Sequence, residues 1–171
     1  MTSTENKIQR IIEKLGLLPH PEGGYYKEIY RSKGLIQSES LGPEFSGIRN
    51  YATSIYFMLT SDTFSAFHKI NQDEIWHFYD GSPIKLHVIS ESGIHTQHIV
   101  GKDIFSDQVP QIVVPANHWF AATVINKNDF SLVGCSVSPG FDFNDFTLPS
   151  RKQLTQLFPQ HINIITELTR Q

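Results

Sequence analysis

The stretch Phe67–Gly81 carries the clearest structural pattern in the chain, and it reads FHKINQDEIWHFYDG. A polar turn at Asn71–Asp73 separates two runs of aromatic and β-branched residues, which predicts two strands. Side chains alternate between the two faces of a strand, so the faces that carry His68 and Glu74 also carry Ile70, Trp76 and Phe78. The turn is expected to bring His68 and Glu74 close together. Such a pair can form part of a metal site or move a proton.

Similar short runs continue on both sides of this stretch and predict a β-rich middle. They cover Tyr25–Tyr30, Tyr51–Leu59, Phe64–Ile70, Glu74–Tyr79, Ile84–Ile89, Gln111–Val114, Phe120–Ile125 and Leu132–Val137. Turn-forming residues such as those at 80–83 and 126–129 separate them. Many short strands at this spacing indicate an antiparallel sandwich or barrel. No helical pattern lies between them, which disfavours alternating β–α–β units.

Both ends of the chain have helical patterns, so we predict a single domain over residues 1–171. Apolar residues recur at helical spacing from Ile8 to Leu15, after a possible capping box at Thr2–Glu5. A second capping box is predicted at Ser150–Gln153. The predicted divisions are an N-terminal helix in 1–18, a β core in 25–146 and C-terminal helices in 150–171.

Composition excludes several classes of protein. The 171 residues include 14 Lys and Arg against 17 Asp and Glu, a net charge of −3 that disfavours a basic nucleic-acid binder. The single cysteine, Cys135, excludes an internal disulfide and zinc sites built on paired cysteines. No apolar run approaches the ~20 residues of a membrane span, and the polar N-terminus has no signal-peptide pattern. We therefore expect a cytoplasmic protein without membrane or nucleic-acid partners.

Two motifs resemble those of the cupin superfamily. The first cupin motif, His-x-His followed by Glu and Gly, is matched by His68, Glu74 and Gly81 at the right spacing, with Ile70 in place of the second His. The segment 115–120, PANHWF, resembles the second motif. Its Asn117 stands where glycine is usual, and both residues tolerate a positive φ. Phe120 stands at the position of the fourth metal ligand.

Four blocks narrow this resemblance to one small cupin subfamily. They are residues 21–26, residues 73–77, residues 114–119 and residues 139–146. Together they are similar to the fifth cupin branch, long classed as a domain of unknown function. The resemblance implies an all-β double-stranded β-helix, the cupin jelly-roll barrel, with short N- and C-terminal helices. It also implies a homodimer, with the strand Tyr25–Arg31 or an outer sheet face at the interface, and some likeness to sugar-nucleotide epimerases.

The substitutions at two ligand positions argue against a metal centre. Cupin metal sites use three His and one Glu, or two His and one carboxylate. Ile70 and Phe120 cannot bind a metal, so one His and one Glu remain, and we predict no cofactor. A divalent metal held by His68 and Glu74 is the alternative.

The candidate site therefore centres on proton transfer and ligand binding. The candidate catalytic residues are His68, Glu74 and Tyr56. The candidate ligand-binding residues are Ser54, Ile70, Trp76, Phe78, Phe120 and Arg31. Taken singly, the aromatic residues are better explained by core packing. Taken with the resemblance to a superfamily whose barrel centre holds a ligand, they favour a pocket. Arg31 and Arg49 could contact an anionic group such as a phosphate. A surface salt bridge is the simpler interpretation for Arg49.

Three functions fit these residues. The first is a metal-independent epimerase or isomerase acting on a small polar metabolite, a sugar or a nucleotide sugar, with His68 as base, Glu74 as its orienting partner or the acid, and Tyr56 as a second proton donor. The second is a non-catalytic module that binds a small molecule in the same pocket. The third is a metal-dependent cupin with a degenerate site.

Overall fold

The computed structural model describes residues 3–170. The strands are β1 Leu18–Pro19, β2 Tyr25–Arg31, β3 Leu35–Ile36, β4 Arg49–Asn50, β5 Thr53–Thr60, β6 Phe64–His68, β7 Glu74–Gly81, β8 Ile84–Ile89, β9 His95–Val100, β10 Gln108–Val109, β11 Gln111–Val114, β12 Trp119–Val124 and β13 Phe130–Val137. The helices are α1 Ser3–Leu15, α2 Arg151–Leu157 and α3 Ile162–Glu167. Short 3-10 turns lie at 38–40, 143–145 and 159–161.

Two sheets form the body of the molecule. The first has the order β1-β2-β5-β13-β7-β11 and the second the order β10-β9-β8-β12-β6, while β3 and β4 pair separately. Apolar side chains of both sheets meet in one buried cluster, which includes Phe57 and Trp76 from the first sheet and Leu86 and Phe120 from the second. Burial of such a cluster between two sheets is what stabilises a sandwich. The predicted all-β jelly roll with terminal helices is confirmed.

The turn at Asn71–Asp73 carries the chain from one sheet to the other. Strand β6 pairs with β12 in the second sheet, whereas β7 pairs with β11 and β13 in the first. His68 at the end of β6 and Glu74 at the start of β7 therefore stand on opposite walls of the space between the sheets.

The terminal helices cover the outer faces of the two sheets. The apolar side of α1 packs with Met58 and Phe130 on the first sheet. On the second sheet, Leu154 and Ile165 of α2 and α3 join a cluster with Phe67. The predicted capping box at Ser150 and Gln153 is confirmed. The one predicted at Thr2–Glu5 includes Thr2, which lies outside the described residues. None of the helices in residues 3–170 is long and apolar enough to cross a membrane.

Two positions of the resemblance have the backbone that their residue types favour. Asn117 has a φ of 61°, as expected where glycine is usual. Gly81 has a φ of 92°, and a Cβ there would lie 2.2 Å from the carbonyl oxygen of Phe130. A larger residue at 81 would therefore force β7 away from β13.

Candidate functional site

A cavity of about 380 Å³ opens between the two sheets. Its walls come from strands β2, β5, β7 and β13, from the end of β6, and from two loops, residues 20–22 and residues 141–146. This volume lies near the lower end of the roughly 300–1,000 Å³ typical of small-molecule sites. Five of the predicted residues line it: Arg31, His68, Ile70, Glu74 and Trp76.

Glu22, which the sequence analysis does not single out, is the central polar residue of the cavity. It is 5% exposed and comes from the turn PEGG between β1 and β2. Its Oε1 accepts a hydrogen bond from Ser65 Oγ at 2.7 Å, and its Oε2 lies 3.0 Å from His68 Nε2 and 3.3 Å from His20 Nδ1. Glu22, and not Glu74, is therefore the acid that contacts His68.

Backbone contacts hold the Glu22 turn against β6. The carbonyl oxygen of Glu22 accepts hydrogen bonds from the Ala66 N–H and from Arg170 Nη2, both at 2.9 Å. Gly23 follows with a φ of 118°, and a Cβ there would lie 2.1 Å from the carbonyl oxygen of Phe64. Only glycine lets the turn approach the strand this closely.

The contacts of His68 require a proton between it and Glu22. His68 Nδ1 lies 2.7 Å from the carbonyl oxygen of Ala66, which can only accept, so Nδ1 carries a hydrogen. The other ring nitrogen, Nε2, faces the Glu22 carboxyl group. Two lone pairs at 3.0 Å would repel each other, so one proton lies between them. We call Glu22 and His68 the proton-sharing pair.

Opposing effects act on the pKa values of this pair. Burial alone raises the pKa of Glu22, but the charge of His68 and the hydrogen bonds from His20 and Ser65 outweigh it, and the pKa lies below its ordinary value. Burial lowers the pKa of His68, although the Glu22 carboxylate and the Ala66 carbonyl act in the other direction. Because the two groups share one proton, they titrate as a unit.

Glu74 on the opposite wall is a neutral acid at pH 7. Burial, together with the nearby charge of Glu22, raises its pKa to about 8, although contacts with Cys135 and Trp76 lower it. Burial also raises the pKa of the Cys135 thiol well above its ordinary value, so Cys135 is not a ready nucleophile. The cavity thus holds a protonated carboxyl group facing a proton-sharing pair, which is the arrangement that acid–base chemistry needs.

Aromatic rings surround the outer part of the cavity. His20 packs edge-on against Tyr26 with ring centroids 4.6 Å apart. Phe141, Phe143 and Phe146 form mutual edge-to-face contacts at 5.0–6.3 Å in the loop at the mouth. This loop belongs to the segment 139–146 that resembles the cupin branch, and its residues alone indicate no role.

Arg31 lies at the same mouth with four of its five N–H donors already used. Its Nε and Nη2 donate to the two carboxylate oxygens of Glu28 at 3.0 and 2.7 Å. Nη1 donates to Asn50 Oδ1, and Nη2 also donates to the carbonyl oxygen of Phe141. Arg31 therefore braces the mouth and is not a free anion-binding group.

Arg49 is buried, contrary to the surface salt bridge favoured for it. It is 4% exposed, and its Nε donates to Asp145 Oδ2 at 2.8 Å while Nη2 donates to Oδ1 at 2.5 Å. Gln72 Nε2 donates to the same Oδ2 at 2.7 Å. Asp145 ends the 3-10 turn 143–145, so this ion pair anchors the loop that forms the mouth of the cavity.

Four of the predicted site residues do not line the cavity, and strand geometry explains each. Thr53, Ile55 and Phe57 of β5 line it, so alternation turns Ser54 and Tyr56 to the outer face. There Ser54 Oγ bonds Ser136 Oγ, and Tyr56 packs beneath α1. Phe78 lies further along β7 against the central cluster. The ring of Phe120 packs behind that of His68, with centroids 4.0 Å apart.

The residues present do not fit the metal centre that the cupin resemblance implies. Ile70 lines the cavity with an apolar side chain, and Phe120 is buried in the core. Both nitrogens of His68 already contact acceptors. Within residues 3–170 no group of three or more His, Cys, Asp or Glu side chains is arranged to hold a metal ion.

The chain resembles several proteins over most of its length. It is 32% identical over 156 residues to the uncharacterized protein YML079W of Saccharomyces cerevisiae, covering 86% of this chain and 77% of that protein. A hypothetical protein from Leishmania major has a similar structure, with a TM-score of 0.87 and 32% identity over 95% of this chain and 98% of its own. Protein SO0799 of Shewanella oneidensis has a TM-score of 0.84 and 36% identity, covering 95% of this chain and 96% of that one.

More distant structures share the fold alone. Oxalate decarboxylase of Bacillus subtilis has a TM-score of 0.53 at 14% identity, over 88% of this chain and 36% of that longer one. Residues 9–149 match the family model Cupin_5, described as "Cupin superfamily (DUF985)". The chain therefore belongs to this family of the cupin superfamily.

Proposed function

We propose that this protein is an acid–base catalyst that binds a compact polar metabolite in the cavity and moves a proton at a carbon next to its carbonyl group, as epimerases and isomerases do. One observation carries the proposal: Glu74, whose pKa is raised to about 8, lines the same small cavity as the proton-sharing pair. Pairs of titratable groups whose environments drive their pKa values apart are characteristic of acid–base sites.

The two walls supply opposite roles to a ligand between them. The Glu22 carboxylate, held by His68 and Ser65, accepts the proton from carbon. The electron pair of the broken C–H bond forms a C=C bond, and the carbonyl oxygen takes the proton of Glu74. Transfer of the proton from Glu22 to the neighbouring carbon, while the Glu74 carboxylate takes the proton of the hydroxyl group there, completes an isomerisation and restores both residues. An epimerisation instead takes a proton from water on the opposite face of the original carbon; Glu74 recovers its proton from the enol oxygen and Glu22 releases its proton to water.

The size of the cavity favours a compact ligand. Its volume of about 380 Å³ suits a sugar or similar metabolite more closely than a complete nucleotide sugar. Trp76 is 1% exposed, and its indole N–H lies near the Glu74 carboxyl group without a hydrogen bond of good geometry to any acceptor among the described residues. A hydroxyl or carbonyl oxygen of a ligand would satisfy that donor.

Hydrogen exchange in D₂O tests this proposal directly. Aldoses, ketoses and amino sugars are incubated with the protein, and the signal of the hydrogen next to the carbonyl is followed by proton NMR. We expect catalysed loss of that signal for at least one compound. Glu22→Gln and Glu74→Gln are each expected to slow it by about 100-fold or more, the usual contribution of a positioned acid or base.

The matched control is Glu91→Gln, because Glu91 is exposed in the turn between β8 and β9, outside the cavity. This variant should catalyse the exchange at the same rate as the unmodified protein. The catalytic proposal is rejected if exchange persists in both cavity variants. It is also rejected if none of the tested compounds exchanges its hydrogen.

A second candidate function is binding without catalysis. Glu22 already has contacts with Ser65, His68 and His20, which suits a rigid wall as well as a reactive group. A compound that raises the melting temperature by mass action but shows no exchange in D₂O would favour this function.

We further propose that two copies associate through the outer side of β2. Ile29 and Tyr30 are 47% and 55% exposed there, and β1 pairs only with the first two residues of this strand. Exposed apolar side chains that lie together often mark an interface. Ile29→Lys is expected to convert a dimer to a monomer in light scattering after size exclusion. An unchanged dimer mass would place the interface elsewhere.

A further inference from the structure

The charged groups around the cavity leave no free positive charge for a ligand. Four carboxyl-bearing residues line it, namely Glu22, Glu28, Glu74 and Asp142, against one arginine and two histidines. The charge of Arg31 is paired with that of Glu28. Glu22 is matched by the proton that it shares with His68.

Asp142 and Glu74 are the two acids of the cavity with no basic side chain in residues 3–170 within ion-pair distance, and Glu74 is protonated, which leaves Asp142 as the uncompensated charge. Asp142 is half-buried at the mouth, where its Oδ1 accepts a hydrogen bond from the Asn144 N–H. Its charge also acts on Arg31, whose pKa is raised chiefly by the hydrogen bond to Glu28. A cleft with an excess of one sign of charge concentrates ligands of the other sign.

The walls between these acids are aromatic. The rings belong to Tyr26, Phe57, Trp76, Phe141, Phe143 and Phe146. Ring faces attract organic cations, and most strongly where water is excluded. The indole N–H of Trp76, in the same wall, has no hydrogen bond of good geometry beyond its contact with Glu74, so it is available to a ligand oxygen as well.

We propose that the cavity selects a small organic cation, an amine that also carries a hydroxyl or carbonyl oxygen, and rejects phosphorylated or carboxylated metabolites. The inference rests on the proposed function only in taking this cavity as the ligand site. The ammonium group would lie against Asp142 and the aromatic rings at the mouth. The oxygen would face Trp76 and Glu74 further in.

Binding of matched probes tests the choice of charge. Choline, ethanolamine and glucosamine are compared with 3,3-dimethylbutan-1-ol, in which carbon replaces the nitrogen of choline, with glucose and with glucose 1-phosphate. At about 10 mM in low salt, at least one cation is expected to raise the melting temperature by about 2 °C or more. Its uncharged counterpart and the phosphate should have little effect. Titration calorimetry then measures the affinity of the cation that binds.

Two variants locate the effect. Asp142→Asn should lower the affinity for the cation by about tenfold, which is the loss expected for one partly buried charge. Glu28→Gln releases the guanidinium of Arg31, so glucose 1-phosphate should gain affinity while the cation loses it. Glu91→Gln should leave both affinities unchanged.

Several outcomes would overturn the inference: no cation binds, the uncharged counterpart binds as well as its cation, or glucose 1-phosphate binds better to the unmodified protein. None of these depends on turnover. A cation that binds without exchange in D₂O would reject the catalytic proposal and keep this inference. Hydrogen exchange of an anionic substrate would reject this inference and keep the catalytic proposal.

Discussion

Replacing Arg49 by alanine is expected to lower the free energy of unfolding by about 3–5 kcal/mol, because it leaves the carboxylate of Asp145 buried without its partner. Both side chains are almost fully buried, and the two groups form a two-pronged ion pair. Gln72 keeps its hydrogen bond to Asp145 but brings no positive charge. Urea unfolding at pH 7 measures the loss.

The matched control is Arg31→Ala. Arg31 forms the same two-pronged contact with Glu28, but both side chains are 39% exposed. Water replaces such a contact at little cost, so this variant should lose about 1 kcal/mol or less. Equal losses in the two variants would show that burial does not govern the Arg49 pair. The Arg49 variant should also bind ligands poorly, because Asp145 anchors the loop at the mouth.

Glu74→Gln is expected to change how stability depends on pH. The pKa of Glu74 rises from its ordinary value of 4.5 to about 8, chiefly through burial. Between these two pH values the native protein keeps a proton that the unfolded chain has released. The contribution of this group to stability is therefore present in full below pH 4.5 and is lost as the pH rises to about 8, by about 1.4 kcal/mol per pH unit.

Glutamine resembles the protonated carboxyl group and does not ionise, so the variant lacks this loss. Its free energy of unfolding should exceed that of the unmodified protein by an amount that grows with pH and reaches on the order of 4 kcal/mol at pH 8. Urea unfolding at several pH values between 5.5 and 8.5 measures this difference. Glu91→Gln, at an exposed site, should run parallel to the unmodified protein. A parallel curve for Glu74→Gln would mean that Glu74 is ionised in the native state.

Local pattern and family motifs were sufficient for the fold and for part of the site. The alternation in β7 correctly turned Glu74 and Trp76 toward the cavity. In β5, however, one face packs against α1 and the other lines the cavity, and both carry apolar side chains. The hydrophobic pattern therefore does not show which face of the strand points inward. The sequence leaves the facing of Tyr56 and Ser54 open, and the structure turns both side chains away from the cavity.

Glu22 shows the limit of reasoning from local sequence. Pro21 before it and two glycines after it predict a turn, and an acid inside that turn is the available signal. What makes Glu22 a site residue is its contact with Ser65 and His68, more than 40 positions later. Such pairings follow from the packing of the whole chain and have no local pattern. The buried partner of Arg49, 96 positions away, was missed for the same reason.

The contact between Arg170 and the Glu22 turn links the site to the folding of the C-terminal segment. The two residues are 148 positions apart, so this hydrogen bond forms only after the intervening chain has been ordered. Local opening of the segment after α3 would remove the hydrogen bond from Arg170 to the Glu22 carbonyl oxygen. The hydrogen bond from the Ala66 N–H would then be the one that remains. With one of its two hydrogen bonds lost, the Glu22 turn would separate from β6 more readily, and amide exchange at Ala66 would report that separation.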